Sequence, residues 1–162
     1  MIQYSIITIM KKRIYLDDVR TPVDQDWIVV RTHDELVSQV VELGLENIQM
    51  ISLDHDLDDS AMHEYFTNVS PHYKLDYANI TESTGMDSAK WLVRQFYTTN
   101  PEWPGKSRPE KKESIVRFPI VVTHSANPIG SANIMGYINN FLMNEAQPQT
   151  CIRVNIEHTV KK

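Results

Sequence analysis

Ile51-Ser-Leu-Asp54-His55-Asp56-Leu57 decides how this chain is read. Met50 to Leu53 is a short apolar run, as expected of a strand buried on both faces. It breaks off in two carboxylates flanking an imidazole. Two other segments share the pattern: Arg13-Ile-Tyr-Leu16 runs into Asp17-Asp18, and Phe118-Pro-Ile-Val-Val122 runs into Thr123-His124-Ser125-Ala-Asn127. As parallel neighbours, the three would bring their C-terminal ends together, and ligands of open α/β sheets sit at that edge.

Working outward, Trp27 to Arg31 is β-branched and strand-like. Thr32 or His33 then opens a helix, with Asp34 and Glu35 suited to its positive end. Leu36, Val37, Val40, Val41 and Leu43 recur at helical spacing, and Gly44 ends the run. The central strand is Ile48 to Leu53. Residues 58–83 mix polar and aromatic side chains without a period, and read as an irregular lid or inserted hairpin beside the strand ends. Ser83 or Thr84 caps the next helix, which carries Ala89, Leu92, Val93 and Phe96 on one face and stops before Asn100-Pro101. A charged connector with Lys106, Arg108, Lys111 and Lys112 leads to the strand Phe118–Val122. Asn127-Pro128 then starts a helix reaching about Asn144, and Cys151 to Ile156 is the last strand.

Strands alternating with helices predict an α/β fold with a mainly parallel sheet. The first link, residues 17–26, is short for a parallel crossover, so it holds a turn or two of helix or the second strand pairs differently.

The 162 residues suit one domain, with residues 1–9 as an N-terminal extension. A net charge of −5 argues against a broad electrostatic grip on nucleic acid, though not against an enzyme touching one phosphate. The single Cys151 makes no internal disulfide, which points to a reducing, cytoplasmic setting. No apolar run is long enough for a bilayer, and Met1 to Ile9 is a poor signal peptide, lacking a basic leader and a small-residue cleavage site.

Asp17, Asp18 and Asp54 are carboxylates that this sheet would gather, with Asp56 as a further ligand or a supporting partner. Like charges at close range call for a bound hard cation, and oxygen ligands suit Mg²⁺ or Mn²⁺. Turn capping is the plain alternative for Asp17 and Asp56. The alternating acids of Asp54 to Asp58 do not make a calcium loop, because Asp59 and Tyr65 stand where glycine and glutamate are needed. His55 and His124 follow two different strands and could divide acid and base duties across a pocket. Period-two alternation nevertheless turns His55 away from Asp54 and Asp56 if the strand stays extended. Ser125, Asn127, Gly130 and Asn133 line a helix start where a phosphate would meet free N–H groups, and Arg20 is a candidate phosphate clamp.

Leu16-Asp-Asp-Val-Arg-Thr-Pro22, Leu53-Asp-His-Asp-Leu57, Thr84-Gly85 opening a helix with Trp91, and His124-Ser-Ala-Asn-Pro-Ile-Gly130 through Asn133 resemble the cyclic-phosphate processing branch of receiver-like domains. The resemblance covers roughly residues 13 to 156. It implies a receiver-like (flavodoxin-like) three-layer sandwich with strand order 2-1-3-4-5. It also implies a metal-assisted role on cyclic phosphates, such as 2′,3′-cyclic phosphate RNA ends or small phosphate esters. An ordinary receiver has a lysine just past its fifth strand, where this chain has Glu157-His158. The expected activity is a divalent-metal phosphoesterase; the alternative is a non-catalytic receiver-like module that binds a metal and a protein partner.

Overall fold

A computed structural model describes residues 11–101, 116–144, 152–153 and 157–160. The apolar runs form β1 (Lys12–Leu16), β3 (Trp27–Val30), β4 (Ile48–Leu53) and β5 (Ile120–Thr123), which pair in parallel in the order β3-β1-β4-β5. The two-residue strand β6 (Ile152–Arg153) pairs in parallel with the outer side of β5. In the central register Tyr15 lies beside Ser52 and Ser52 beside Val122.

Alternation along these strands divides the sheet into two faces. Ile14, Leu16, Ile51, Leu53 and Val121 join Leu36 and Val40 of α1 (His33–Leu43), Leu92 and Phe96 of α4 (Gly85–Thr99) and Ile134 and Ile138 of α5 (Pro128–Asn144) in one apolar core. Each fully buried aliphatic side chain there contributes about 1.5–3 kcal/mol, so this layer holds the strand ends in place. Tyr15, Ser52 and Val122 belong to the opposite face and are also buried. No helix covers that face among the described residues, so the expected third layer is not seen there.

The helices start and stop for local reasons. Thr32 caps α1 by accepting from the Glu35 N–H at 3.2 Å, and Gly44, at φ 78°, ends it by donating to the Val40 carbonyl. Thr84 and Asp87 form a reciprocal capping box at the start of α4.

Two expectations change. The link after β1 holds no helix. It contains β2 (Arg20–Pro22), which pairs antiparallel with β7 (His158–Val160) in a separate ribbon. Pro22 and the small number of residues leave no room for a helical turn, yet β1 and β3 still align in parallel.

The segment 58–83 is not an irregular loop or a hairpin. It forms α2 (Asp59–Glu64), a π-helical turn over Tyr65–Val69, the short α3 (Ser70–His72) and a 3₁₀ turn at Tyr77–Asn79. Its buried positions are few, and one is a carboxylate. Glu64 accepts from Asn68 Nδ2 at 2.8 Å, the Asp76 N–H at 3.0 Å and Asn79 Nδ2 at 2.9 Å. A polar hub of this kind removes the apolar period by which a helix is recognised. The expectations for residues 1–9, the connector lysines and arginine, Cys151 and the terminal lysines lie outside the described residues. No helix among the described residues is long and apolar enough to cross a membrane.

Candidate metal centre

The parallel ladder continues one residue past each strand. Asp17 N donates to the Val30 carbonyl, Asp54 N to the Leu16 carbonyl and His124 N to the Leu53 carbonyl. This extension keeps the period of two. Asp17, Asp54 and His124 therefore share the face of Tyr15, Ser52 and Val122. One ligand atom from each of the three lies within 4.8 Å of the others, and all three residues are buried.

Arg20 reaches into this group from β2. Its Nε is 2.6 Å from Asp17 Oδ2, its Nη2 is 2.6 Å from Asp54 Oδ2, and its Nη1 is 3.3 Å from the His124 carbonyl. The other Asp17 oxygen accepts from the backbone N–H groups of Val19 and Arg20. Arg31 fastens the loop from behind, donating to the carbonyls of Asp17 and Arg20 and to Thr21 Oγ1.

The His124 ring is fixed on both edges. Nε2 is 3.1 Å from Asp17 Oδ2 and Nδ1 is 2.6 Å from Ser52 Oγ. An ionised Asp17 takes the Nε2–H, which leaves Nδ1 to accept the Ser52 hydroxyl proton. Burial pushes the His124 pKa below its ordinary value, against the opposing bond to Asp17. Burial therefore favours the neutral imidazole.

The carboxylates differ in electrostatics. Burial works to raise the Asp17 pKa, but the bond from His124, the bonds from the Arg20 and Val19 backbones and the Arg20 charge hold it down to about 2. Burial raises Asp54, with Arg20 acting against the rise and a hydrogen bond from Ser125 also lowering it. Asp18 is pushed up to about 6, first by burial and then by the charges of Asp17 and Asp54.

His55 belongs to the other face. Its Nδ1 is 2.6 Å from Asp56 Oδ1, its Nε2 is 3.2 Å from the Tyr77 hydroxyl, and its ring lies against Gly130, where a Cβ would come within 2.2 Å of Cγ. Gly85 is equally tight, since a Cβ there would stand 1.9 Å from the Asp54 carbonyl oxygen. Both helices thus press directly onto the Asp54-His55 turn.

A family model described as the cyclic-phosphate processing receiver domain matches residues 12–140. The chain belongs to that family. No curated protein and no solved structure matches it.

Against the family's motifs, the acidic residues part company. Asp17 and Asp54 come together as the strand pattern predicts, and Asp18 stands near enough to feel both charges. Asp56 is engaged elsewhere, by His55 and by Asn127 Nδ2 at 3.2 Å. The two histidines do not face each other across one pocket. His124 touches the acidic pair, while His55 braces α5, as alternation requires.

The helix-start residues also have structural duties. Asn127 caps α5 by accepting from the Gly130 N–H at 2.9 Å, and Ser125 Oγ accepts from the Asn127 N–H at 3.1 Å. Gly130 makes room for the His55 ring. Asn133 donates to the Tyr77 hydroxyl at 3.2 Å. Arg20 clamps carboxylates here.

Sequence reasoning missed Tyr15, Ser52, Arg31 and Tyr77. Tyr15 and Ser52 carry a legible signal, because each stands two residues before a site aspartate on its own strand.

The donor set fits a hard divalent cation. Asp17 and Asp54 supply anionic oxygen, and His124 would supply nitrogen if its Nε2 proton were released, with Ser52 then accepting from Nδ1. A separate cleft of about 160 Å³, which none of these residues lines, is formed by Thr32, His33, Asp34, Leu57, Asp58, Glu82 and Ser83. Its three carboxylates make it a poor cradle for a bare phosphate.

Proposed function

We propose that the protein is a divalent-metal phosphoesterase acting on cyclic phosphates, such as the 2′,3′-cyclic phosphate of an RNA end or a small cyclic ester in the cytoplasm. The observation that carries this reading is the convergence of Asp17, Asp54 and His124 within 4.8 Å. The family's description supports the substrate class. In this reading the parallel strands β3-β1-β4-β5-β6 stand for a receiver order of 2-1-3-4-5.

Asp17 and Asp54, with Asp18 beside them, would hold Mg²⁺ or Mn²⁺. A cation so bound would supply Lewis-acid polarisation of a phosphoryl oxygen and a better water nucleophile near neutral pH. The chain's own residues do the rest. His124 orients Asp17 through its Nε2–H and is the imidazole placed to carry a proton at the centre. Ser125, bonded to Asp54, offers a hydroxyl beside it. His55 and Asn127 hold the start of α5 against the strand ends.

The test is incubation of the purified protein with an RNA ending in 2′,3′-cyclic phosphate, with Mg²⁺ or Mn²⁺ and with chelator. Opening of the ring that needs metal and disappears in Asp54→Asn supports the reading. Opening that survives chelation overturns it.

One observation favours a second reading, a non-catalytic module that binds a cation and a protein partner. Both imidazoles are buried with both ring nitrogens already engaged. Cation binding without turnover across a panel of cyclic nucleotides and RNA ends would select it.

A further inference from the structure

We propose that Arg20 and a divalent cation are alternative occupants of the Asp17–Asp54 pair, and that cation binding turns the guanidinium outward to receive a phosphate oxygen. This rests on the metal reading above and adds an exchange step to it.

The geometry requires a choice. Arg20 Nε and Nη2 each lie 2.6 Å from an Oδ2 of Asp17 and of Asp54, so the guanidinium fills the space between the two carboxylates. A hard cation binds carboxylate oxygens at about 2.0–2.1 Å for Mg²⁺ and needs their lone pairs free. The guanidinium now uses them. Two positive groups at contact distance also repel, so the second does not simply add to the first.

Charge counting points the same way. With both carboxylates ionised, Arg20 leaves the pair one negative charge in excess. A divalent cation in its place balances the pair completely and leaves the guanidinium as a surplus positive charge at the rim. A cyclic phosphodiester carries one negative charge, which offsets that of the displaced arginine; Asp18, when ionised, adds one negative charge to either arrangement. A guanidinium is also well shaped for two phosphate oxygens.

The structure provides for the side chain to leave while its backbone stays. Arg31 holds the carbonyl of Arg20 at 2.6 Å and Thr21 Oγ1 at 2.7 Å, and β2 is paired with β7. The Arg20 side chain is 17% exposed, against 0% for Asp17 and 8% for Asp54, so it enters from the solvent side. Its third contact, to the His124 carbonyl, is long at 3.3 Å.

The test measures Mn²⁺ binding to the full chain by the electron-spin-resonance signal of the free ion, for wild type, Arg20→Gln and Arg20→Lys. Dimethyl phosphate serves as the diester probe. Removing a competing internal cation should tighten Mn²⁺ binding by roughly tenfold or more in Arg20→Gln, within the usual range of coupling between sites. Arg20→Lys, which cannot bridge two carboxylates as a fork does, should fall between. Dimethyl phosphate should tighten Mn²⁺ binding in wild type and leave it unchanged in Arg20→Gln. Equal or weaker Mn²⁺ binding in both variants overturns the exchange while the metal reading stands. Absence of Mn²⁺ binding from all three proteins overturns the metal reading and the exchange with it. If Arg20→Gln is unfolded, its refolding by Mn²⁺ supports the exchange; if it stays unfolded with Mn²⁺, tighter binding by Arg20→Lys supports the proposal and unchanged binding overturns it.

Discussion

The imidazole of His124 lies nearly flat on the ring of Tyr15, with centroids 4.1 Å apart and planes at 16°. Tyr15 therefore forms the floor of the acidic centre, while its own buried hydroxyl makes no well-formed hydrogen bond among the described residues, with Asp17 its main polar influence. Burial first, and the charge of Asp17 second, push its pKa up, so the phenol stays protonated. Tyr15→Phe keeps the floor and removes a buried hydroxyl with no well-formed bond among the described residues, and urea denaturation should show stability unchanged or raised by up to about 1 kcal/mol. Tyr15→Ala removes the floor and should cost about 3–5 kcal/mol. Equal losses in the two variants would mean that the hydroxyl, not the ring, matters.

Two glycines of α5 make an internal control. Gly130→Ala would place a methyl 2.2 Å from His55 Cγ, so the ring or the helix must shift, at a cost of about 1–3 kcal/mol. Gly136→Ala meets nothing within 4 Å and should stabilise the same helix by about 0.5–1 kcal/mol. Thermal denaturation of the pair separates crowding from helix propensity, and a stabilised Gly130→Ala would contradict the packing of His55.

Asp18 and Asp17 titrate in opposite senses relative to an unfolded value of 3.8. The folded Asp18 pKa is raised to about 6, so the folded state binds the extra proton between 3.8 and 6, and stability from this group falls as pH rises through that window. The Asp17 pKa is lowered to about 2, so its contribution is present above 3.8 and is lost as pH falls toward 2. Without divalent cation, Asp18→Asn should match wild type near pH ~4 and be the more stable of the two above pH ~7. Melting temperatures of the two proteins across that range check it, and parallel curves would show that Asp18 carries no raised pKa.

Glu64 ties the helical insertion to itself. Glu64→Leu leaves Asn68, Asn79 and the Asp76 N–H without their common acceptor. Hydrogen exchange should lose protection across residues 59–79 while the amides of β1, β4 and β5 keep theirs. Uniform loss across the chain would mean that the insertion is part of the main cooperative unit.

The strands and helices were legible because their burial follows a period. Leu36 and Val40, Leu92 and Phe96, and Ile134 and Ile138 all lie where helical spacing puts them. Asp17 and Asp54 were legible because a polar residue just past a buried strand has few places to go. Which way each histidine turns was less open than the pairing expectation implied, since alternation already separates His55 from Asp54 and His124 from Thr123. The bonds from Arg20 to Asp17 and Asp54 were not legible because sequence carries no distance, and an arginine three residues past Asp17 suits a carboxylate as well as a phosphate. The helices within the insertion were not legible because its organising buried residue, Glu64, is charged. The β2–β7 ribbon joins residues at opposite ends of the numbering, and no local pattern announces it.

That ribbon sets an order of events during synthesis. Arg20 pairs with Val160, and the Val23 N–H donates to the Glu157 carbonyl. On the ribosome, the loop that carries Asp17 and Arg20 is made early, yet the strand that pairs with it comes only from residues 158–160. β1, β3, β4 and β5 can assemble with their helices beforehand, leaving the acidic loop held by Arg31 but without its ribbon partner until residues 157–160 are free to pair with it.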